Sequence, residues 1–289
     1  MIVVLAATGM IGRKLVEKLC DAGHDVLATG RTKEKLSTID KRAQQAYADL
    51  QDPSSLKPLL KKAKIVICCA HGSHAETIIP NLPKALDRLI LMGSTRVFTK
   101  LPDPQADAVR QALELFNKSK VPGIMLLPSM IYGSPQDRNI NRILSLVQQF
   151  PFIPLPNGGK AFVQPVFVDD VIEALFKSVS ADLAKLDRTI TVAGPEPIPY
   201  SSLVKTCGNA LNRKIHILPV PISPLSLVAK LLKPLGMTIN QDELVRATEN
   251  KSYDVTPLRQ QLGITPISFE DGLNLKIQRG WYPRKKLSF

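Results

Sequence analysis

The sequence predicts an α/β fold, a doubly wound parallel sheet followed by a smaller C-terminal α+β cap. Three observations predict it. Aliphatic runs of strand length alternate with helix-period segments from the first residue onward. The connections between them are short, as right-handed βα units require. A glycine-containing turn joins the first run directly to the first helix.

The elements follow in order. Ile2–Ala6 is an unbroken aliphatic run, expected of a strand covered on both faces. Ile11, Leu15, Val16 and Leu19 then recur at helical spacing, and Gly23 supplies a stop. Asp25–Thr29 is the next strand, with a helix opening at Thr32. Gln45–Leu50 reads as a third strand, after which Asp52-Pro53 offers a capping carboxylate and a proline in the first turn. Lys64–Ala70, Asp87–Ser94 and Gly123–Met130 complete six βα repeats. Beyond about residue 130 proline becomes dense. Strands are expected at Phe162–Phe167, Arg188–Ala193 and Lys214–Val220, and helices at Val168–Val179, Tyr200–Leu211, Leu225–Leu235, Gln241–Thr248 and Glu270–Gln278. Residues 1–135 are therefore assigned to a first domain built on the doubly wound sheet. Residues 136–289 form a mixed region that partly completes the sheet through 162–194 and otherwise builds the cap.

Composition narrows the function classes. At 289 residues and 44% hydrophobic the chain can bury a substantial core. Its excess of 38 Lys+Arg over 25 Asp+Glu, +13, favours anionic ligands or describes a wetted basic exterior. Aromatics are 5% and do not interleave the basic clusters Lys33–Arg42 and Lys57–Lys64, which argues against a nucleic-acid groove. Cys20, Cys68, Cys69 and Cys207 form no CxxC pair, so a reducing compartment and no metal site are expected. No apolar run reaches the ~20 residues of a membrane helix. A soluble, cytoplasmic protein is the expectation. The tail Trp281–Lys286 has the amphipathic composition of an interface or membrane-surface contact, though such tails more often pack their aromatics and leave the lysines wet.

The informative segment is Val4–Arg13. Between a strand and a helix, a glycine at position 9 lets a ligand's phosphates approach the backbone, and one at position 12 lets the helix pack closely. The unpaired N–H groups and positive dipole of the helix start favour a diphosphate. The turn Ala7, Thr8, Gly9, Met10, Ile11, Gly12 and Arg13 is the candidate binding loop; the alternative is a tight turn with no ligand. The second strand ends at Gly30-Arg31 rather than at an acid. A carboxylate there would chelate the ribose hydroxyls of NAD, whereas Arg31, aided by Arg13, would pair with the 2′-phosphate of NADP(H). NAD(H) is the less favoured ligand, and a solvated Arg31 the bland alternative.

Leu5-Ala6-Ala7-Thr8-Gly9-Met10-Ile11-Gly12 resembles the T-G-A-T-G-F-I-G turn of the extended and atypical short-chain dehydrogenase/reductase superfamily, with Ala6 replacing the first glycine. The likeness implies a Rossmann fold and further cofactor contacts. Asp49-Leu50 matches the pair at the adenine, and Cys69-Ala70-His71 the segment beside the adenine ribose. Pro128 opens the P-S-x-I-Y-G loop that borders the nicotinamide, and Asp169 and Asp170 match acidic positions of an H-V-D-D-V-like segment. Through 151–171, 191–204 and 258–273 the likeness extends to the NAD(P)H-binding accessory subunit of respiratory complex I and its bacterial relatives.

The same resemblance exposes a gap. The superfamily's proton relay needs a tyrosine and a lysine four residues on, and Arg96–Lys120 contains no tyrosine; Ala106 and Arg110 fall in those places. Ser94, after the fifth strand, either holds a substrate oxygen and the cofactor or caps a turn. Tyr132 and His71 are the remaining proton donors, weighed against packing for Tyr132 and ribose contact for His71. Two readings stay open. One is a dinucleotide-binding, sensing or assembly module with a protein partner. The other is an NADP-dependent oxidoreductase or epimerase/dehydratase-like enzyme that uses Ser94, Tyr132 or His71.

Overall fold

The computed structural model describes residues 1–221 and 248–283, which divide into two compact units. The expected helix at Leu225–Leu235, nearly all of that at Gln241–Thr248, and Arg284–Lys286 of the tail lie outside the described residues.

The first unit comprises residues 1–129, 168–192 and 254–265. Among the described residues it holds one seven-stranded sheet, built from β1 (Ile2–Leu5), β2 (Val26–Gly30), β3 (Gln44–Tyr47), β4 (Ile65–Cys68), β5 (Arg88–Met92), β6 (Gly123–Pro128) and a late strand, Thr189–Val192. Their order is the late strand, β6, β5, β4, β1, β2, β3, and every neighbouring pair is parallel. The chain thus winds outward from β1 through β2 and β3, then returns to β4 on the other side. That reversal opens a crevice beyond the carboxyl ends of β1 and β4, where ligands of open α/β sheets bind.

Both faces of the sheet are covered, which is why its strands read as continuous aliphatic runs. On one side Val3, Leu5, Val66, Leu89 and Leu91 share a core with α3 (Pro53–Leu60) and α5 (Pro104–Ser119), through Leu56, Leu60, Ala112 and Phe116. The alternate residues Val4, Ala28, Ile67, Ile90 and Leu126 are equally buried, on the side of α1 (Met10–Asp21) and α7 (Val168–Lys177). The ion pair Lys14–Asp169 (3.0 Å) and the pair Lys18–Glu173 tie these two helices together.

Local chemistry explains the boundaries. Gly23 takes a φ of +78° and donates to the Cys20 carbonyl, which ends α1. Asp52 caps α3 by accepting from the Ser54 amide at 2.9 Å, with Pro53 in the first turn. Thr32 precedes a helix of only four residues, α2 (Lys33–Leu36), and its side chain makes no capping bond; the backbone carbonyl accepts from Leu36 N instead. β3 stops at Tyr47 rather than continuing to Leu50. Ser55 Oγ holds both the amide and the carbonyl of Asp49, which folds that residue into a turn.

The second unit comprises 130–167, 193–253 and 266–289. Its core gathers Tyr132, Ile140, Leu144, Val147, Phe167, Leu203, Val204, Cys207, Phe269 and Leu273. The single strand expected at Phe162–Phe167 is two short ones, Phe162–Val163 and Val166–Phe167, with different partners. Pro165 between them brings no N–H to a ladder. The buried Gln164 carboxamide instead donates to the Gly194 carbonyl at 2.8 Å and accepts from Tyr253 N at 2.7 Å. A buried ion pair anchors the unit. Lys276, on the helix Phe269–Gln278, is fully buried and reaches the Asp137 carboxylate at 2.7 Å and the Ser134 carbonyl at 2.6 Å. Asp137 also accepts from the amides of Gly133, Ser134, Ile140 and Asn141, so the buried carboxylate is satisfied on every side.

Candidate functional site

The turn between β1 and α1 is built tightly where it meets the protein and openly where it faces out. Ala7 N donates to the Thr29 carbonyl at 2.8 Å, which pins the turn to β2. Ala6 adopts a φ of +56°, a left-handed conformation that costs a non-glycine residue about 1 kcal/mol. A Cβ on Gly12 would lie 2.7 Å from Ala7 Cα and 2.8 Å from the Ala6 carbonyl, so only glycine lets the helix start this close to the turn. Gly9 differs. It is exposed, and a Cβ there would meet nothing nearer than the Ala6 carbonyl at 3.6 Å. The protein leaves that space open, as a phosphate cradle does.

The helix start is unneutralised. Its first helical bond runs from Arg13 N to the Gly9 carbonyl at 2.9 Å, so the amides of Met10, Ile11 and Gly12 precede the i→i−4 ladder, and no acid lies in the first turn. Arg13 folds back along the turn, its Nε donating to the Thr8 carbonyl at 3.1 Å. These groups together favour an anion at the amino end of α1.

Beside the turn lies a cleft of about 410 Å³ lined by Thr8, Arg31, Thr32, Lys35, Tyr47 and Asp49. Gly30 makes its wall continuous, since a Cβ there would lie 2.4 Å from Thr8 Cγ2. The β2–β3 register sets Tyr47 opposite Gly30, which brings a ring 58% exposed to the cleft edge. Among the described residues neither Arg31 nor Lys35 forms an ion pair. Asp49, the single acid of the lining, accepts from Gln51 N at 3.0 Å. Lys35, Tyr47 and Thr32 were not singled out from the sequence as ligand contacts. The signals for the first two were a lysine in the short helix that opens two residues after Arg31 and the pairing of β3 with β2.

At the end of β4, Cys69 N donates to the Leu5 carbonyl at 3.1 Å, so the segment Cys69-Ala70-His71 continues beside the turn. Burial pushes the Cys68 thiol up to about 12 and raises that of Cys69 further, which favours the protonated thiol at both. His71 Nδ1 lies 3.1 Å from Ser73 Oγ and accepts from Ser73 N, while its Nε2 is buried without a partner. Burial lowers the pKa of His71, helped by His74 and Arg96. His74 is lowered too, chiefly by burial; Asp49 opposes the shift and Arg31 adds to it.

The remaining expected residues are placed as follows. Ser94 Oγ accepts from Arg96 N at 3.2 Å and caps the turn that follows β5. Leu50 is buried in the core beneath the sheet, away from the cleft lining. Pro128 ends β6, paired with Val192. Ala106 is fully buried on α5, and Arg110 donates to the carbonyls of Val97 and Thr99. Tyr132 belongs to the second unit. It is 1% exposed, packs edge-on against Phe167, and donates toward the Phe269 carbonyl at 3.2 Å. Its hydroxyl is committed within that core.

Residues 6–139 match a family model described as NAD(P)H-binding. The chain is 25% identical over 244 residues to the mitochondrial NADH dehydrogenase [ubiquinone] 1 alpha subcomplex subunit 9 of Arabidopsis thaliana; the match covers 76% of this chain and 60% of the relative's length. It is 23% identical to the protein of the same name in Dictyostelium discoideum, covering 98% of this chain and 85% of that one. The crystal structure of UDP-glucose 4-epimerase from Thermotoga maritima shares the fold, with a TM-score of 0.72 at 14% identity, over 96% of this chain and 97% of that one.

Proposed function

We propose, for a chain that carries an NAD(P)H-binding domain over residues 6–139 and is related to the extended short-chain dehydrogenase/reductase proteins, that it holds NADP(H) in preference to NAD(H) and acts as a binding module rather than through the usual tyrosine–lysine relay. The diphosphate rests on the amides of Met10, Ile11 and Gly12, in the space left open at Gly9. One observation carries the NADP(H) preference: two cations, Arg31 and Lys35, share a cleft with the end of β2, where an NAD site would carry a carboxylate. Arg31 offers a fork to the 2′-phosphate and Lys35 a point charge. Asp49 stands within the same lining, available to the adenine amino group.

The binding-module reading is supported by the composition of α5. With Ala106 and Arg110 in the relay positions, the chain lacks a phenol held beside a lysine there. The likeness to a subunit named for NADH dehydrogenase supports assembly with a protein partner. No described helix is long and apolar enough to cross a membrane, and the four free cysteines fit a reducing compartment. The alternative, an oxidoreductase or epimerase-like enzyme, rests on Ser94, whose hydroxyl accepts one bond and retains its own proton for a substrate or cofactor oxygen.

The test is to release and identify any nucleotide that co-purifies with the full chain, and to titrate the stripped protein with NADPH and NADH. Tighter uptake of NADPH supports the proposal; equal uptake removes the 2′-phosphate from it. Oxidation of bound NADPH by a panel of carbonyl compounds would favour the enzyme.

A further inference from the structure

The second unit carries a two-stranded parallel ribbon, Phe152–Pro156 beside His216–Val220, and the two faces of that ribbon differ. Ile153, Leu155, Ile215 and Ile217 turn inward and join the unit's core. The alternate positions turn out. Phe152 is 53% exposed and Leu218 45%, although both are large and apolar. The register sets Pro154 opposite Leu218 and Phe152 opposite His216, whose ring stacks on it with 5.3 Å between centroids. These side chains form one continuous outward face. Exposed apolar side chains that are grouped in this way mark an interaction surface, where scattered ones do not.

Backbone chemistry excludes one kind of occupant. Pro154, Pro156 and Pro219 bring no N–H to a further ladder, so the ribbon is poorly built to take another strand. Charge narrows the choice again. No acidic residue occurs between Asp137 and Asp169, nor from Pro197 through Val220, so both strands and their flanks are free of carboxylates. Lys160 follows a turn in which a Cβ on Gly158 would lie 3.6 Å from Pro219, and Arg213 and Lys214 lead into the second strand. All three cations are exposed, and among the described residues none forms an ion pair. The tail adds to this. Tyr282 packs against the same core, and Gln148, four residues before Phe152, donates through Nε2 to the Pro283 carbonyl at 2.9 Å; from there the sequence continues as Arg284-Lys285-Lys286.

A second copy of the chain would bring like charges together across this face. A protein partner would find no hydrogen-bonding group on Phe152, Pro154 or Leu218, whereas protein interfaces carry about one such bond per 100–200 Å². A lipid surface needs none there, because its acyl boundary takes the apolar side chains and its anionic headgroups the cations. We infer that the outward face of this ribbon seats the chain on an anionic lipid surface, with Phe152 and Leu218 entering the headgroup layer and Lys160, Arg213 and Lys214 meeting lipid phosphates.

The test is sedimentation of the full chain with vesicles of phosphatidylcholine alone and of phosphatidylcholine mixed equally with phosphatidylglycerol. Wild type should partition onto the mixed vesicles only, and less as salt rises. Each cation near an anionic surface is worth roughly fivefold, so the triple variant Lys160→Gln, Arg213→Gln, Lys214→Gln should bind about a hundredfold more weakly. Phe152→Ser and Leu218→Ser should each lower binding about tenfold, with circular dichroism to verify folding. A matched triple variant in the first unit, Lys57→Gln, Lys61→Gln, Lys62→Gln, removes the same charge from exposed positions and should bind as wild type does. Equal losses in the two triple variants would reduce the effect to net charge and overturn the inference. Uptake by both vesicle types alike, no uptake at all, or a concentration-dependent dimer that Phe152→Ser abolishes would overturn it as well. None of these outcomes bears on the dinucleotide reading, which involves the other unit.

Discussion

Reversing the charge at Arg31 probes the proposed 2′-phosphate contact most sharply. Arg31 is exposed and forms no ion pair among the described residues, so Arg31→Glu disturbs no internal network and the fold should be unaffected. The effect on NADPH has two parts. Loss of a charge-assisted bond to the 2′-phosphate removes about 1.5 kcal/mol, roughly tenfold in affinity. A carboxylate about 4 Å from the phosphate adds about 1 kcal/mol of repulsion in water, a further factor of roughly five. NADPH should therefore bind about fiftyfold more weakly at low salt, and the defect should shrink as ionic strength rises. NADH lacks the phosphate, and the new carboxylate can accept from its ribose hydroxyls, so its affinity should hold or improve. Fluorescence titration of both reduced nucleotides against wild type and variant reads the ratio directly. Equal losses for the two would refute the phosphate role of Arg31, and Lys35→Ala should lower NADPH binding alone if the second cation shares it.

The two glycines of the turn should respond oppositely. Gly9→Ala meets only a contact at 3.6 Å, so stability should hold while dinucleotide affinity falls; Gly12→Ala, with 2.7 Å to Ala7 Cα, should cost about 1–3 kcal/mol by urea unfolding. Lys276→Met leaves the buried Asp137 carboxylate without its counter-ion and should destabilise the chain by about 3–5 kcal/mol, seen as a lower denaturation midpoint. His71 and His74 hold depressed pKa values when folded. On acidification through the unfolded value of about 6.5 the unfolded chain takes up protons first, so stability should fall as pH drops, and His74→Gln should flatten that slope.

The first unit was largely legible because its strands are buried on both faces and its turns follow local rules. Ile2–Leu5, Gly9, Gly12, the Gly23 stop and the Asp52-Pro53 cap are each fixed within a few neighbouring residues. Pairing over long separations was harder to read. Thr189–Val192 joins β6 some sixty residues downstream, and nothing in its own sequence names that partner. Phe162–Phe167 has the composition of one strand, but Pro165 and the buried Gln164 divide it. In the site, Arg31 was readable because its place at the end of β2 carries chemical meaning. Lys35 and Tyr47 join it only through the short helix and the β2–β3 register. That Ser73 engages His71 Nδ1 and leaves Nε2 without a partner is a geometric fact that sequence does not encode.

The most direct test follows backbone amides of the isotopically labelled full chain as NADPH is added. Saturable shifts concentrated at Thr8 through Arg13, with a second group at Arg31 and Lys35, are the expected pattern. Amides that stay unmoved along this segment while the nucleotide binds elsewhere, or no binding at all, would contradict the placement of the diphosphate at the amino end of α1.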